Sequence, residues 1–395
     1  MRRGSTAWSI EELEAEAVLG EGAMSTVALC VCKRSGLRVA LKMYHKSRMS
    51  AANYQQAERE ICIQAALRNE HTIALYVAFE DEDGVYLVQE YAAGGDVYGA
   101  LAAAGGFLHE TQVADAVVLP LLRALSHLHS QAPPQARRSW LRHFGVAHRD
   151  VKSENLLLCA DASGGLRVRL ADFGLAERAG SGASLCVGTL DYMAPEVGSH
   201  APAWQRPARK RPLARPLAEL PPSLYHQMDR LAGQAQALPA VAAGGRAHAQ
   251  ADPDTDHTLD PSRCKLETCG LAGDVWAAGV LAYEMLLGGP PFEADTKAAT
   301  YAAILHAQPW LPQHLSAPAR DFLLQALTKD PTQRPTAGQL LHHPWLAGRS
   351  AQPWGATNLP NPDPAPQAAA RLLHAPSLAP ATPPRQGPAT ASPHL

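Results

Sequence analysis

Apolar and polar positions change their period along the chain, and the changes divide it. From about residue 13 to 130, strand-like and helix-like stretches alternate with few prolines. Ala28–Cys32 and Leu37–Met43 read as two β-rich runs around a turn at Ser35-Gly36, which is a hairpin. A glycine-rich segment, Leu19-Gly20-Glu21-Gly22-Ala23-Met24-Ser25-Thr26-Val27, stands at its head. Ala57–Leu67 then carries helical spacing through Ile61 and Ala65, and Ile73–Phe79 and Val85–Tyr91 read as strands around the acidic turn Glu80–Gly84. An ordered pattern resumes from Gly145 to about Val197, and apolar helical periodicity returns over 271–288 and 318–346. Several strands and one helix come first, and mostly helices follow. The expectation is an α+β fold of two lobes, β-rich over about 13–90 and mainly helical over about 92–347.

Two stretches interrupt this pattern. Residues 131–144 (QAPPQARRSWLRHF) are polar and proline-bearing, and roughly 198–268 is rich in Pro, Ala and Arg, including RPARKRPLARP at 206–216. Both read as low-complexity inserts. The Pro/Ala/Ser/Thr-rich residues 348–395 read as a disordered tail. Composition agrees: 46% of residues are hydrophobic but only 18% are charged, and Ala, Gly and 32 prolines inflate the apolar share. With 35 Lys and Arg against 37 Asp and Glu, the net charge of −2 argues against bulk attraction to nucleic acid or membrane.

The seven cysteines form no four-ligand metal spacing; Cys264 and Cys269 have no second pair nearby. Free thiols in a reducing compartment are expected. The N-terminus lacks an apolar signal core, and Leu271–Leu287, interrupted by Asp274 and Glu284, reads as too short to span a bilayer. The expectation is a soluble protein of the cytoplasm or nucleus.

Candidate chemistry changes the picture. In the Gly20-x-Gly22-x-x-Ser25 loop, glycines let backbone N–H groups approach phosphate oxygens, although glycine pairs also mark ordinary turns. Lys42, in Val39-Ala40-Leu41-Lys42 one strand later, can place a point charge on those phosphates. Glu60 on the following helix is its natural counter-ion, with Glu58 as a competitor. The strongest signal is His148-Arg149-Asp150-Val151-Lys152-Ser153-Glu154-Asn155, followed seventeen positions later by Asp172-Phe173-Gly174. Asp150 can accept a hydroxyl proton, Lys152 can steady a transferring phosphate, and Asn155 and Asp172 offer oxygens to Mg²⁺.

In this order, these segments resemble the eukaryotic protein kinases. The resemblance continues through Ala194-Pro195-Glu196, Asp274-Val275-Trp276 with Gly279, Pro290-Pro291-Phe292, Arg334 and His343-Pro344-Trp345. It implies a protein kinase fold over 13–347, with ATP and Mg²⁺ as cofactors and protein serines or threonines as acceptors. The implied catalytic residues are Asp150, Lys152, Lys42 and Glu60, with Asn155 and Asp172 on the metal. ATP contacts are implied at Leu19, Gly20, Glu21, Gly22, Ala23, Ser25, Val27, Ala40, Lys42, Glu90, Ala92, Asp96 and Leu157, with Gln89 as gatekeeper. Lys152 and Gly188-Thr189 are similar to the serine/threonine branch. Gln64, Val85-Tyr86-Leu87-Val88 and Pro290-Pro-Phe-Glu-Ala-Asp-Thr296 resemble the Aurora kinases, within a broader Aurora/calmodulin-kinase-like group. Asp96, Glu154 and Glu284 match positions that hold arginine upstream of the acceptor in basophilic kinases.

Arg149 before Asp150 implies an activation segment ordered by phosphorylation, with Ser181 and Ser184 as candidates and Ser184 preferred. Glu196 to Asp274 spans 78 positions, where the family order leaves roughly 20. The insert reads either as a recruiting or screening segment for a regulatory protein, with a basic cluster at Arg206, Arg209, Lys210, Arg211 and Arg215, or as sequence carried in from outside the coding region. His127, His129, His342 and His343 read as frame residues rather than ligands. Thr382-Pro and Ser392-Pro in the tail match the acceptor pattern of proline-directed kinases. The alternative class is a pseudokinase scaffold, whose usual sign is loss of Lys42, Asp150 or Asp172; all three are present.

Overall fold

Five antiparallel strands in the order β1-β2-β3-β5-β4 make the N-terminal sheet of this computed structural model: β1 Leu13–Glu21, β2 Ser25–Cys32, β3 Arg38–His45, β4 Leu75–Glu80 and β5 Gly84–Glu90. The structure describes residues 10–33, 35–131, 145–162, 164–179, 189–198 and 261–355, with backbone alone at 198 and 261–269. The chain divides into units Met1–Pro362 and Asp363–Leu395, the second outside the described residues. Strand periodicity sorts the sheet's two faces. Ala28, Cys30, Cys32, Val39, Leu41, Met43, Tyr86 and Val88 bury one face together with Ile10, Leu13 and Ala15. The register Val27–Lys42–Leu87 and Leu29–Ala40–Gln89 places the intervening residues on the other. β1, Leu-Glu-Ala-Glu-Ala-Val-Leu-Gly-Glu, was not foreseen as a strand: its Glu and Ala residues are depleted in strands, yet Leu13, Ala15 and Val18 bury.

Helix α1 (Ala51–Ala66) starts six residues before the periodic signal, where Ser50 and Asn53 form a reciprocal capping box. In the C-terminal lobe, α2 (Val97–Ala103) is capped by Asp96. Helix α3 (Glu110–Gln112) runs through a π-helical stretch, Val113–Val118, into α4 (Leu119–His129). Pro120, which has no N–H to give, stands two residues past the end of that stretch. Two short ladders carry the functional loops: β6 (Val146–Ala147) pairs with β9 (Glu177–Arg178), and β7 (Leu156–Ala160) with β8 (Leu166–Leu170). Then come α5 (Pro195–Gly198), α6 (Pro261–Leu287), α7 (Lys297–His306), α8 (Ala317–Ala326) and α9 (Ala337–Leu340). One core of buried residues, including Leu121, Leu122, Leu125, Leu281, Met285, Phe322 and Leu323, binds α4, α6 and α8.

Three boundaries differ from the sequence reading. Helix α6 begins at Pro261, inside the stretch assigned to the 198–268 insert. The 318–346 periodicity splits into α8 and α9 around Asp330-Pro331, since proline cannot continue a helix. The tail boundary at 348 is also too early. Arg349 Nη1 reaches Asp115 Oδ1 at 3.0 Å, Arg167 Nη1 donates to Ala351 O at 2.8 Å, and Trp354 N donates to Leu166 O at 2.6 Å. Residues 349–355 therefore belong to the folded lobe.

Among the described residues, one helical stretch, Gly270–Leu287, is long and apolar enough to cross a membrane, contrary to its reading as too short; 67% of it is buried within the lobe. Cys30, Cys32 and Cys159 are buried and Cys62 is exposed, and these four form no disulfide. Burial pushes Cys30 and Cys159 up to about 12. Ser181, Ser184, the basic cluster, Thr382, Ser392 and the side chains of Cys264 and Cys269 lie outside the described residues.

Candidate active site

Lys42 on β3 is 8% exposed and donates to Glu60 Oε1 at 2.7 Å and Asp172 Oδ1 at 2.9 Å. Burial works to lower its ammonium, yet Asp172 and Glu60 together outweigh that and hold it well above the usual lysine value. Glu60 is 1% exposed, whereas Glu58 points to solvent, so the competition between them resolves to Glu60. Its second oxygen accepts from the Tyr44 hydroxyl, a partner the sequence reading missed although strand periodicity already put Tyr44 on the Lys42 face. Behind this group, Gln89 Nε2 donates to Gln64 Oε1 at 2.8 Å and Gln64 Nε2 donates to Ile73 O at 3.2 Å. The buried Gln64 amide thereby has its oxygen satisfied by Gln89 and its N–H by the Ile73 carbonyl.

The glycine loop closes through Gly22 N to Ser25 O at 2.7 Å. A Cβ placed on Gly20 would meet no atom within 4 Å, so packing does not demand glycine there; open space lies over its backbone. Glu21, Gly22 and Ala23 are exposed and Ser25 is half-buried. Leu19 is exposed, Val27, Ala40 and Leu157 are half-buried, and Ala92 is buried. The partly open ones are apolar surface suited to a flat ring. The Glu90 carboxylate is taken by Arg169 Nη1 at 2.6 Å, so any contact to a base at Glu90 is through its backbone. Asp96 accepts from Gly99 N at 2.7 Å and bridges to Leu157.

The catalytic loop is pinned from below. Asp274 of α6 accepts from the backbone N–H of His148 and of Arg149, both at 2.8 Å, and pairs with His129 Nε2 at 2.9 Å. This holds Arg149 at a left-handed φ of 66°, a conformation that persists only where its surroundings enforce it. Above it, Asp150 Oδ2 accepts from Lys152 Nζ at 2.7 Å and Asn155 Nδ2 at 2.9 Å, while the Thr189 hydroxyl lies 3.3 Å from Oδ1 and 3.1 Å from Lys152 Nζ. Asp150, Thr189, Tyr192, Gly270 and Asp274 line a cleft at this point. Asp172 also adopts a left-handed φ of 60°, and Phe173 after it is fully buried against His148.

Asp172 and Asn155 supply hard oxygen donors, and Asn155 aims its amide nitrogen at Asp150. Among the described residues no group of three or more His, Cys, Asp or Glu gathers as a metal cage. That fits Mg²⁺, which takes one or two protein oxygens and completes its shell with phosphates and water. Further out, Glu284 accepts from the Tyr192 hydroxyl. Burial first, then the charges of Glu154, Asp191 and Glu293, raise its carboxyl above the ordinary value against that hydrogen bond. Arg334 forks onto Glu196 at 2.7 and 3.0 Å. His129 and His343 each hold an aspartate, as frame residues do.

Residues 13–206 and 259–346 match the protein kinase domain family. "Aurora kinase" from Patiria pectinifera is 30% identical over 348 residues, covering 87% of this chain and 65% of that protein. "Aurora kinase" from Schizosaccharomyces pombe is 30% identical over 332 residues, covering 83% and 69%. "Serine/threonine-protein kinase Aurora-1" from Arabidopsis thaliana is 29% identical over 351 residues, covering 88% and 90%. The chain thus spans slightly less than two thirds of the first relative's length.

Proposed function

Because this chain belongs to the protein kinase family and resembles the Aurora kinases within it, we propose that it transfers the γ-phosphate of ATP to serine or threonine hydroxyls of proteins. One observation carries the reading: Lys42 bonds Glu60 and Asp172 together, while Asp150, Lys152 and Asn155 on the loop below form a connected cluster that Thr189 joins from the segment before Leu190. Lys42, fixed by Glu60, orients the phosphates. Asp150 accepts the proton of the acceptor hydroxyl and aligns it for in-line attack. Lys152 sits beside that carboxylate, where it meets charge building on the transferring group. Asn155 and Asp172 would hold Mg²⁺, which would supply neutralisation of the phosphates' negative charge.

The acceptor preference in this proposal is for arginine upstream. Glu154, Asp191 and Glu293 each act on Glu284 as a like charge, and an incoming guanidinium relieves that repulsion while pairing with carboxylates. The test is phosphate transfer from Mg-ATP to a degenerate Ser/Thr peptide library. Asp150→Asn should lower the rate by about 10²–10⁴-fold, and the transferred label should enrich in peptides with upstream arginine. Equal transfer by Asp150→Asn, or nucleotide binding with no transfer at all, overturns the enzyme reading in favour of a binding scaffold.

A further inference from the structure

Glu177 on β9 is 8% exposed, and one of its oxygens serves two arginines. Arg59 Nη1 lies 2.5 Å from Glu177 Oε2, and Arg149 Nη2 lies 3.3 Å from the same atom. Arg59 adjoins Glu60 on α1, and Arg149 adjoins Asp150. Arg149 Nε also donates to Leu175 O at 2.7 Å, and Gln56 of α1 donates to Gly174 O at 2.6 Å. The backbone at Glu177 is itself held, paired with Ala147 in the β6–β9 ladder. A single carboxylate therefore ties together the helix that positions Lys42, the loop that bears Asp150, and the strand that leaves Asp172.

Two guanidiniums brought together at a partly buried point repel and are costly to desolvate unless an anion sits between them. Burial pulls Arg149 below its usual value, and the Glu177 charge acts against that. The sequence reading expected this anion to be a phosphate added to Ser184. We propose that Glu177 is a positioning residue that takes the place of an activating phosphate, so that phosphate transfer does not require phosphorylation of the activation segment. The inference rests on the kinase reading above. It differs from a purely structural ion pair in what it says about phosphate: once Glu177 is neutralised, transfer falls and becomes dependent on a phosphate that the unaltered chain does not need.

The experiment uses the full chain, dephosphorylated to completion as judged by intact mass, beside untreated protein, Ser181→Ala/Ser184→Ala, Glu177→Gln and Glu177→Asp. The dephosphorylated chain and the double alanine variant should keep transfer rates within about twofold of untreated protein. Glu177→Gln removes charge-assisted hydrogen bonds of roughly 1.5–3 kcal/mol, so kcat of its dephosphorylated form should fall about 10- to 150-fold. KM for ATP should change much less, and Glu177→Asp, which keeps the charge, should recover part of the loss. A tenfold or greater loss when the unaltered chain is dephosphorylated overturns the proposal, as does full kcat in Glu177→Gln. If the unaltered chain transfers nothing in either state, the kinase reading fails instead, and amide hydrogen exchange still decides the role of Glu177. Faster exchange across α1 in Glu177→Gln supports the tie, and identical exchange overturns it.

Discussion

Tyr44 follows Lys42 by two residues on β3, so both side chains leave the same face of the sheet, and both end on Glu60. The lysine neutralises one carboxylate oxygen and the phenol satisfies the other. Tyr44→Phe leaves that oxygen buried without its donor while preserving the ring. Loss of a hydrogen bond to a charged group costs about 1.5–3 kcal/mol, so the variant should unfold at lower urea and show reduced kcat. Unchanged values of both would show that Glu60 holds its position through Lys42 alone. At this scale the identities of Lys42, Asp150, Asn155 and Asp172 were legible from ordered motifs. Tyr44 and Glu177 were not, because a tyrosine or glutamate carries no signature until its partner is located, and Arg59 lies 118 positions from Glu177.

Elements are joined by buried charge as well as by apolar packing. Arg334, whose side chain is fully buried, connects α5 through Glu196 to α6 through the Ala272 carbonyl at 2.7 Å. Arg334→Ala takes both guanidinium hydrogen bonds from the nearly buried Glu196 carboxylate and should cost about 3–5 kcal/mol in chemical denaturation. Nearby, Lys329 Nζ lies 3.9 Å from the Phe292 ring centroid and 4.8 Å from that of Trp276, and donates to Ile304 O at 2.6 Å. Burial, then the charge of Arg334, lowers this lysine to about 8 from its ordinary 10.5. Between those two values the unfolded chain keeps a proton that the folded chain has released, so this group makes stability rise with pH across that window. Urea midpoints compared at pH 8 and pH 10 should show a larger rise for the unaltered protein than for Lys329→Met. An equal rise in both would mean that Lys329 does not titrate there.

Across the whole molecule, the redrawn boundaries matter most for where the chain can be cut. Residues 349–355 attach to β8 and to Asp115 in the π-helical stretch through side-chain and backbone hydrogen bonds. A chain ending at 347 loses at least four of these, each worth about 0.5–1.5 kcal/mol. It should therefore melt measurably below a chain ending at 355; coincident melting curves would show that the segment adds nothing. The insert's far edge likewise moves to 260, because α6 begins at Pro261.

The sequence by itself determined the fold family and the two-lobed order of elements, and it singled out Lys42, Asp150, Asn155 and Asp172, to which the proposed function gives the chemistry. Those depend on local periodicity and on motifs whose spacing along the chain is itself the signal. Tertiary structure alone decided the choice of Glu60 over Glu58, the place of Asp274 beneath the catalytic loop, the Arg59–Glu177–Arg149 junction and the extent of α6 and of the C-terminal segment. Each of these is a contact between residues far apart in sequence or a helix continued past its apolar pattern, and the free energy that selects it exists only once the two partners are brought together and buried.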